Sequence, residues 1–323
     1  MSSRAPGGVF SRLLHFTVVM YKPHYLLYGV LWVFALEATI ALLTAPWDAW
    51  RPGWATLGRV VVVAVVLLYL RMVDEQKDLE YDRVHNPDRP LVTGAVTAPD
   101  LRLGTAVLGV VAIAASLLLS VRSAIAVAVV LVYGLALWGA ERLSPWLRDN
   151  ILANLVITYP VQLLLTAYVL LSVLDTSSVP AGWAAYEPCT VCDGRPAAFW
   201  SLAPVAVIFA GAFLQFELAR KTAHERRPGE HYYSNTLGAG ASCVVSVLFV
   251  AVAVGTDLVL VRPWEYEGLR RVLGLLPILA AALPVYGGFR FLRDRAAEYP
   301  LAPAVLFIVT FYLLLIAQAT VPA

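Results

Sequence analysis

Residues 74–91 read DEQKDLEYDRVHNPDRPL and place five carboxylates within nine positions, shortly after the apolar run VVVAVVLLYL. Asp74, Asp78 and Asp82 recur every fourth residue, which on a helix stacks them on one face, one turn apart. Glu75 sits on the shoulder of that face, Glu80 points elsewhere, and Lys77 and Arg83 lie off the stripe. Like charges at this spacing repel, so a cation must compensate them. A hard divalent ion fits oxygen ligands, and Mg²⁺ takes one or two carboxylates together with substrate phosphates. The plainer reading, a solvated cap at a membrane boundary, suits a single acid better than a repeating stripe.

A second polar stretch, FLQFELARKTAHERRPGEHYYSNTLG, spans residues 213–238. Glu217, Lys221 and Glu225 again repeat at four, with a base in the middle and Arg220, Arg226 and Arg227 beside it. An acidic and a mixed cluster facing each other would suit a phosphate-bearing substrate: acids hold the metal, the metal holds phosphates, and Lys or Arg takes the remaining oxygens. Ordinary salt bridging of Lys221 with Glu217 and Glu225 is the alternative. A third stretch, ERLSPWLRDNILANLVITYP at 141–160, offers Arg142, Arg148, Asp149, Asn150 and Asn154. These suit orienting or deprotonating an acceptor, contacting phosphate, or capping a helix.

The elements that position these groups follow from composition. The chain of 323 residues is 60% hydrophobic and 14% charged, against about 45–50% and 25% for soluble domains. Apolar runs near 25–44, 56–73, 101–120, 123–141, 150–174, 200–218, 236–261, 270–290 and 302–321 reach the ~20 residues that cross a bilayer. The expectation is therefore an all-α, polytopic membrane bundle of about nine helices in a single domain over residues 1–323. The run 270–290 is interrupted by Pro277 and Pro284. Strands are disfavoured because the runs are continuous rather than alternating. The N-terminal stretch does not read as a signal peptide, since the first apolar helix is too long and lacks a cleavage site.

With a cytoplasmic N-terminus, 17 of the 24 Lys and Arg residues fall on the inner side, as the positive-inside rule requires. Both charged clusters then lie inside, at the ends of helices two and six. The basic residues bracket helices instead of forming a stripe, so nothing points to nucleic acid. Cys189 and Cys192, in the CTVC of an outer loop, read equally as a local disulfide or two thiols. Glu37, at membrane depth in helix one, is a functional candidate by position, or a hydrogen-bonded structural acid.

These motifs resemble the UbiA superfamily of intramembrane prenyltransferases. The family's NDxxDxxxD motif at the end of helix two, followed by an RPL-type turn, maps onto Asp74, Glu75, Asp78 and Asp82 with Arg89-Pro90-Leu91. Asp replaces Asn at 74 and Glu replaces Asp at 75, and both keep oxygen ligands. Lys22-Pro23 is similar to the family's entry into helix one. Its second motif, DxxxDxxxD, corresponds to Glu217, Lys221 and Glu225, where a base replaces the middle acid and RRPGEHYY is additional. The resemblance implies a bundle around a cavity open to the lipid, with Mg²⁺ held by Asp74, Glu75, Asp78, Asp82, Glu217 and Glu225. It implies a prenyl diphosphate contacted by Lys22, Lys77, Arg89, Arg142, Arg148, Arg220 and Tyr159, with Lys221 on phosphate directly.

Ionising the allylic C–O bond leaves a carbocation that needs a dry cavity lined by aromatic faces. Candidates are Tyr25, Tyr28, Trp32, Tyr133, Trp138, Tyr159, Tyr168, Phe213 and Phe216. Three classes of function remain open: transfer to an aromatic or other lipophilic acceptor, intramolecular cyclisation, and a non-enzymatic carrier. Sparse charge within the spans disfavours the carrier. Transfer is the expectation, with Asn150 and Asn154 as acceptor-side residues. The expected location is a bacterial plasma membrane, with the N-terminus and the active site cytoplasmic.

Overall fold

The computed structural model describes residues 7–176, 200–227, 229–295 and 297–321. Among them nine helical spans are long and apolar enough to cross a membrane, and each coincides with one of the apolar runs. A short helix, α1 (Val9–Met20), precedes α2 (Pro23–Thr44) and α3 (Trp54–Lys77). Two small helices, α4 (Leu79–His85) and α5 (Pro90–Thr93), lead to α6 (Ala98–Leu117) and α7 (Val121–Leu143). Then come α8 (Pro145–Asp149), α9 (Ile151–Thr158), α10 (Pro160–Thr176) and α11 (Val205–Arg220). The chain closes with α12 (Tyr233–Leu237), α13 (Ala239–Val261), α14 (Gly268–Ala280), α15 (Ala282–Asp294) and α16 (Leu301–Thr320). The one extended pairing among the described residues is a bridge between Ala223 and Glu298. Cys189 and Cys192 lie outside the described residues.

Prolines articulate the spans without ending them. The fifth span is divided at Tyr159, where α9 gives way to α10, since Pro160 has no N–H to donate to the carbonyl four residues back. The run 270–290 becomes two consecutive helices, α14 and α15, joined at Ala281 with φ −60° and ψ −22°. That joint keeps right-handed helical geometry, so the pair still crosses as one span. One apolar core draws residues from all nine spans, among them Trp32, Val62, Ala112, Val127, Leu165, Phe209, Val250, Ala280 and Phe307.

Opposite ends of the bundle are tied differently. At one end, Arg12 of α1 grips Asp100 of α6 through two bonds of 2.8 and 2.7 Å. This leaves Phe10, Leu14 and Val18 of α1 as an exposed apolar stripe, suited to lying in a membrane interface. At the other end, Glu37 of α2 accepts from Arg59 Nε at 2.9 Å and Thr56 Oγ1 at 2.7 Å, while Arg59 also reaches Thr176 of α10. This pairing makes Glu37 a structural tie between helices. Breaking a buried ion pair from one side costs about 3–5 kcal/mol, so Glu37→Ala is expected to lower the melting temperature in detergent sharply. Unchanged melting would remove the tie from the account. Glu37 is also not the main buried charge within the spans, as Asp257 of α13 is fully buried and accepts from Gln318 of α16 at 3.4 Å.

Candidate active site

Asp78 sits at a break between α3 and α4, with φ −90° and ψ 8°, and this joint divides the acidic stripe. The side chains of Asp74 and Asp78 stay 49% and 43% exposed, whereas Glu75 and Asp82 are buried. The two halves are balanced by different cations. Arg89 precedes Pro90 and takes the extended backbone that a pre-proline residue favours. Its guanidinium reaches Glu75 Oε2 at 3.0 Å and Asp82 Oδ2 at 3.6 Å. Arg71 adds a contact of 3.5 Å to Glu75, and Asn86 donates to Asp82 at 2.7 Å. Arg89 thus organises the acids rather than standing free.

Lys77, expected off the stripe, is at its centre. Its Nζ lies 3.8 Å from Asp74, 3.6 Å from Asp78 and 3.0 Å from Glu141 at the end of α7. The long side chain and the break at Asp78 let it fold back onto the acids flanking it. Even so, partial burial raises the Asp78 carboxyl above its ordinary range, with Lys77 pulling the other way. Two buried carboxylate oxygens, Glu75 Oε1 and Asp82 Oδ2, lack any hydrogen-bond donor. Among the described residues no three acids, His or Cys form a ready-made metal cage. Such a donor set suits Mg²⁺, which draws the rest of its octahedron from water and phosphate.

The second cluster departs from a continuous stripe. α11 ends at Arg220, Lys221 has already left helical geometry at φ −118° and ψ 34°, and Ala223 pairs with Glu298. Glu225 is therefore carried off the helix and exposed, which removes it from the expected metal set. Glu217 is buried and receives Arg220 Nε at 2.6 Å, Lys221 Nζ at 2.9 Å and the Tyr233 hydroxyl at 3.3 Å. Its immediate partners are two cations and a phenol rather than further acids.

An aromatic stack brings the two clusters together. The Tyr81 ring of α4 lies between His85, at 4.3 Å, and His231 of the loop after α11, at 4.8 Å. Partial burial and the charge of Lys221 lower the basicity of His231, while Asp78 and Asp149 oppose them. These groups therefore surround one mouth at the charged end of the bundle. Beside it opens a crevice of about 620 Å³ lined by Asp149, Arg226, Glu230, His231 and Tyr232.

Other expected residues are placed unevenly. Asn154 donates to Glu141 at 2.9 Å and so belongs to the mouth. Asn150 caps α9 by accepting from the amides of Leu152 and Ala153, which leaves its carbonyl oxygen committed. Arg148 pairs with Asp149 on the surface, and Arg142 and Lys22 are exposed. Tyr159 lies deeper, its ring 6.1 Å from Phe213 and its buried hydroxyl without a partner. Within the core, Trp32 packs edge-on to Phe209 at 6.4 Å, and Phe209 meets Tyr312 at 5.5 Å. Sequence reasoning missed Glu141, Arg71, Tyr81, His231, Phe209 and Tyr312. Glu141 alone carried a signal, as an acid closing an apolar helix on the same side as Asp74.

No protein-family model matches the chain, and no curated protein does. Solved structures do. An apo UbiA homologue from Aeropyrum pernix K1 superposes with a TM-score of 0.58 at 16% identity, covering 90% of this chain and 96% of that one. A digeranylgeranylglyceryl phosphate synthase superposes with a TM-score of 0.57 at 14% identity, covering 96% and 99%. Superposing over at least 90% of its length on both, the chain shares the fold of this UbiA homologue and of the digeranylgeranylglyceryl phosphate synthase.

Proposed function

We propose that the protein is a Mg²⁺-dependent intramembrane prenyltransferase, a single domain that ionises a prenyl diphosphate and passes the prenyl group to a small aromatic or lipophilic acceptor. The observation that carries this reading is the meeting of an acidic and a cationic cluster at one mouth of an apolar bundle, joined through Tyr81 and His231. The fold shared with a digeranylgeranylglyceryl phosphate synthase supports an isoprenoid substrate. Asp74 and Asp78 would hold the ion, with Glu75 and Asp82 behind them fixed by Arg89. When bound, Mg²⁺ supplies neutralisation of the charge that develops on the departing diphosphate.

The chain's own groups do the rest. Lys221 and Arg220, fixed by Glu217, take diphosphate oxygens as the allylic C–O bond breaks. The apolar interior keeps water from the cation, and the faces of Trp32, Phe209 and Tyr312 stabilise it. Asn154 and the unpartnered Tyr159 hydroxyl are placed to meet an acceptor. The same ring-lined core favours a second reading, cyclisation of the prenyl chain without any acceptor. Incubating the purified protein and Mg²⁺ with C10, C15 and C20 prenyl diphosphates alone decides between them. Cyclic products identify a cyclase, whereas turnover only on adding an acceptor identifies a transferase.

The Lys and Arg distribution supports a cytoplasmic charged end, and the proposed location is a bacterial plasma membrane. A single cysteine at position 225 is then expected to resist an impermeant thiol reagent applied to intact cells. Strong labelling from outside would reverse the topology.

A further inference from the structure

We infer that Lys77, latched by Glu141 and Asn154, is a resident cation of the acidic cluster, standing where a further metal ion would otherwise be held, so that the cluster binds one divalent ion. The inference rests on the reading of this cluster as a cation site. Three carboxylates from two helices converge on Lys77 Nζ at 3.0, 3.6 and 3.8 Å. That is the arrangement of a cation site whose occupant is an ammonium. Glu141 is 3% exposed and takes both Lys77 and Asn154 Nδ2, at 2.9 Å, on the same oxygen. The latch holds Lys77 from the α7 side, whatever happens to Asp74 and Asp78.

Charge counting agrees. Asp74, Glu75, Asp78, Asp82 and Glu141 face Arg71, Lys77 and Arg89, an excess of two negative charges. One divalent ion removes that excess. Behind Asp74 and Asp78, Glu75 Oε1 lies on a side chain 1% exposed and has no hydrogen-bond donor, so the negative charge there is not fully met by Arg71 and Arg89. Glu141 is thereby a positioning residue that acts through Lys77. It keeps the ammonium at the mouth when a metal ion takes the two exposed aspartates.

Mn²⁺ binding to the full-length protein in detergent, read by electron paramagnetic resonance without substrate, tests this. The wild type is expected to bind one ion. Lys77→Met is expected to bind Mn²⁺ about tenfold more tightly, since an ammonium beside two carboxylates no longer competes. Glu141→Gln is expected to bind about threefold more weakly, because the freed ammonium closes on Asp74 and Asp78. A merely structural network would loosen the site in both variants, so the opposite signs are diagnostic. If Lys77→Met does not fold, Glu141→Gln compared with Lys77→Met/Glu141→Gln reads the same contrast, the double variant being the tighter. Two ions in the wild type, or no tightening on loss of Lys77, overturns the inference alone. No Mn²⁺ binding in the wild type overturns the cation-site reading as well.

Discussion

Asp78→Ala is expected to abolish turnover while leaving the protein folded in detergent. Among the four acids at the end of helix two, Asp78 separates chemistry from stability best. Glu75 and Asp82 are buried carboxylates held by the half-buried Arg89, so their removal takes a partner from that guanidinium and carries a folding penalty. Asp78 is partly exposed at a helix joint, and its one close cation is Lys77 at 3.6 Å. Lys77 keeps Glu141 when Asp78 is gone. A long contact of this kind, open to solvent on the Asp78 side and with Glu141 left to Lys77, contributes about 1 kcal/mol or less, so the melting temperature should move little. Turnover should fall below a few per cent, and EDTA should silence the wild type to the same extent. Residual activity above that level, or indifference to EDTA, would remove the metal–diphosphate reading of this end of the bundle.

Lys221→Ala is expected to lose roughly ten- to hundredfold in kcat/KM with little change in melting. A charge-assisted contact to a phosphate oxygen is worth ~1.5–3 kcal/mol, which converts to that range of rate. An ammonium cannot coordinate Mg²⁺, but it meets diphosphate directly. The rival account makes Lys221 a salt-bridge partner whose loss lowers stability. The structure weakens that rival, because Glu217 keeps Arg220 at 2.6 Å and the Tyr233 hydroxyl at 3.3 Å when Lys221 is removed. Glu225 has also left the helix, so the ladder of alternating charges never forms. Lys221→Asp should do no better than alanine unless it creates a new metal position. Unchanged kinetics with lower melting would return Lys221 to a structural role.

Hydrophobic runs longer than a bilayer is thick have one outcome, since lipid offers backbone amides no partner outside a helix. All nine spans were therefore legible in the sequence, even across Pro277 and Pro284, whose freed carbonyls cost less than leaving the membrane. The spacing of Asp74, Asp78 and Asp82 likewise announced an acidic cluster, because residues four apart on a helix share a face. Periodicity carries that knowledge only while the helix continues. It fails at Asp78, where the chain breaks and turns Asp82 toward Arg89, and again at Lys221, where α11 stops and Glu225 swings out. Which cation meets which acid was decided by tertiary structure alone. Lys77 finds Glu141 across 64 positions, and Tyr81 finds His231 from a different loop. No local pattern encodes such pairings, because they depend on which helix ends the packed core brings to the same depth.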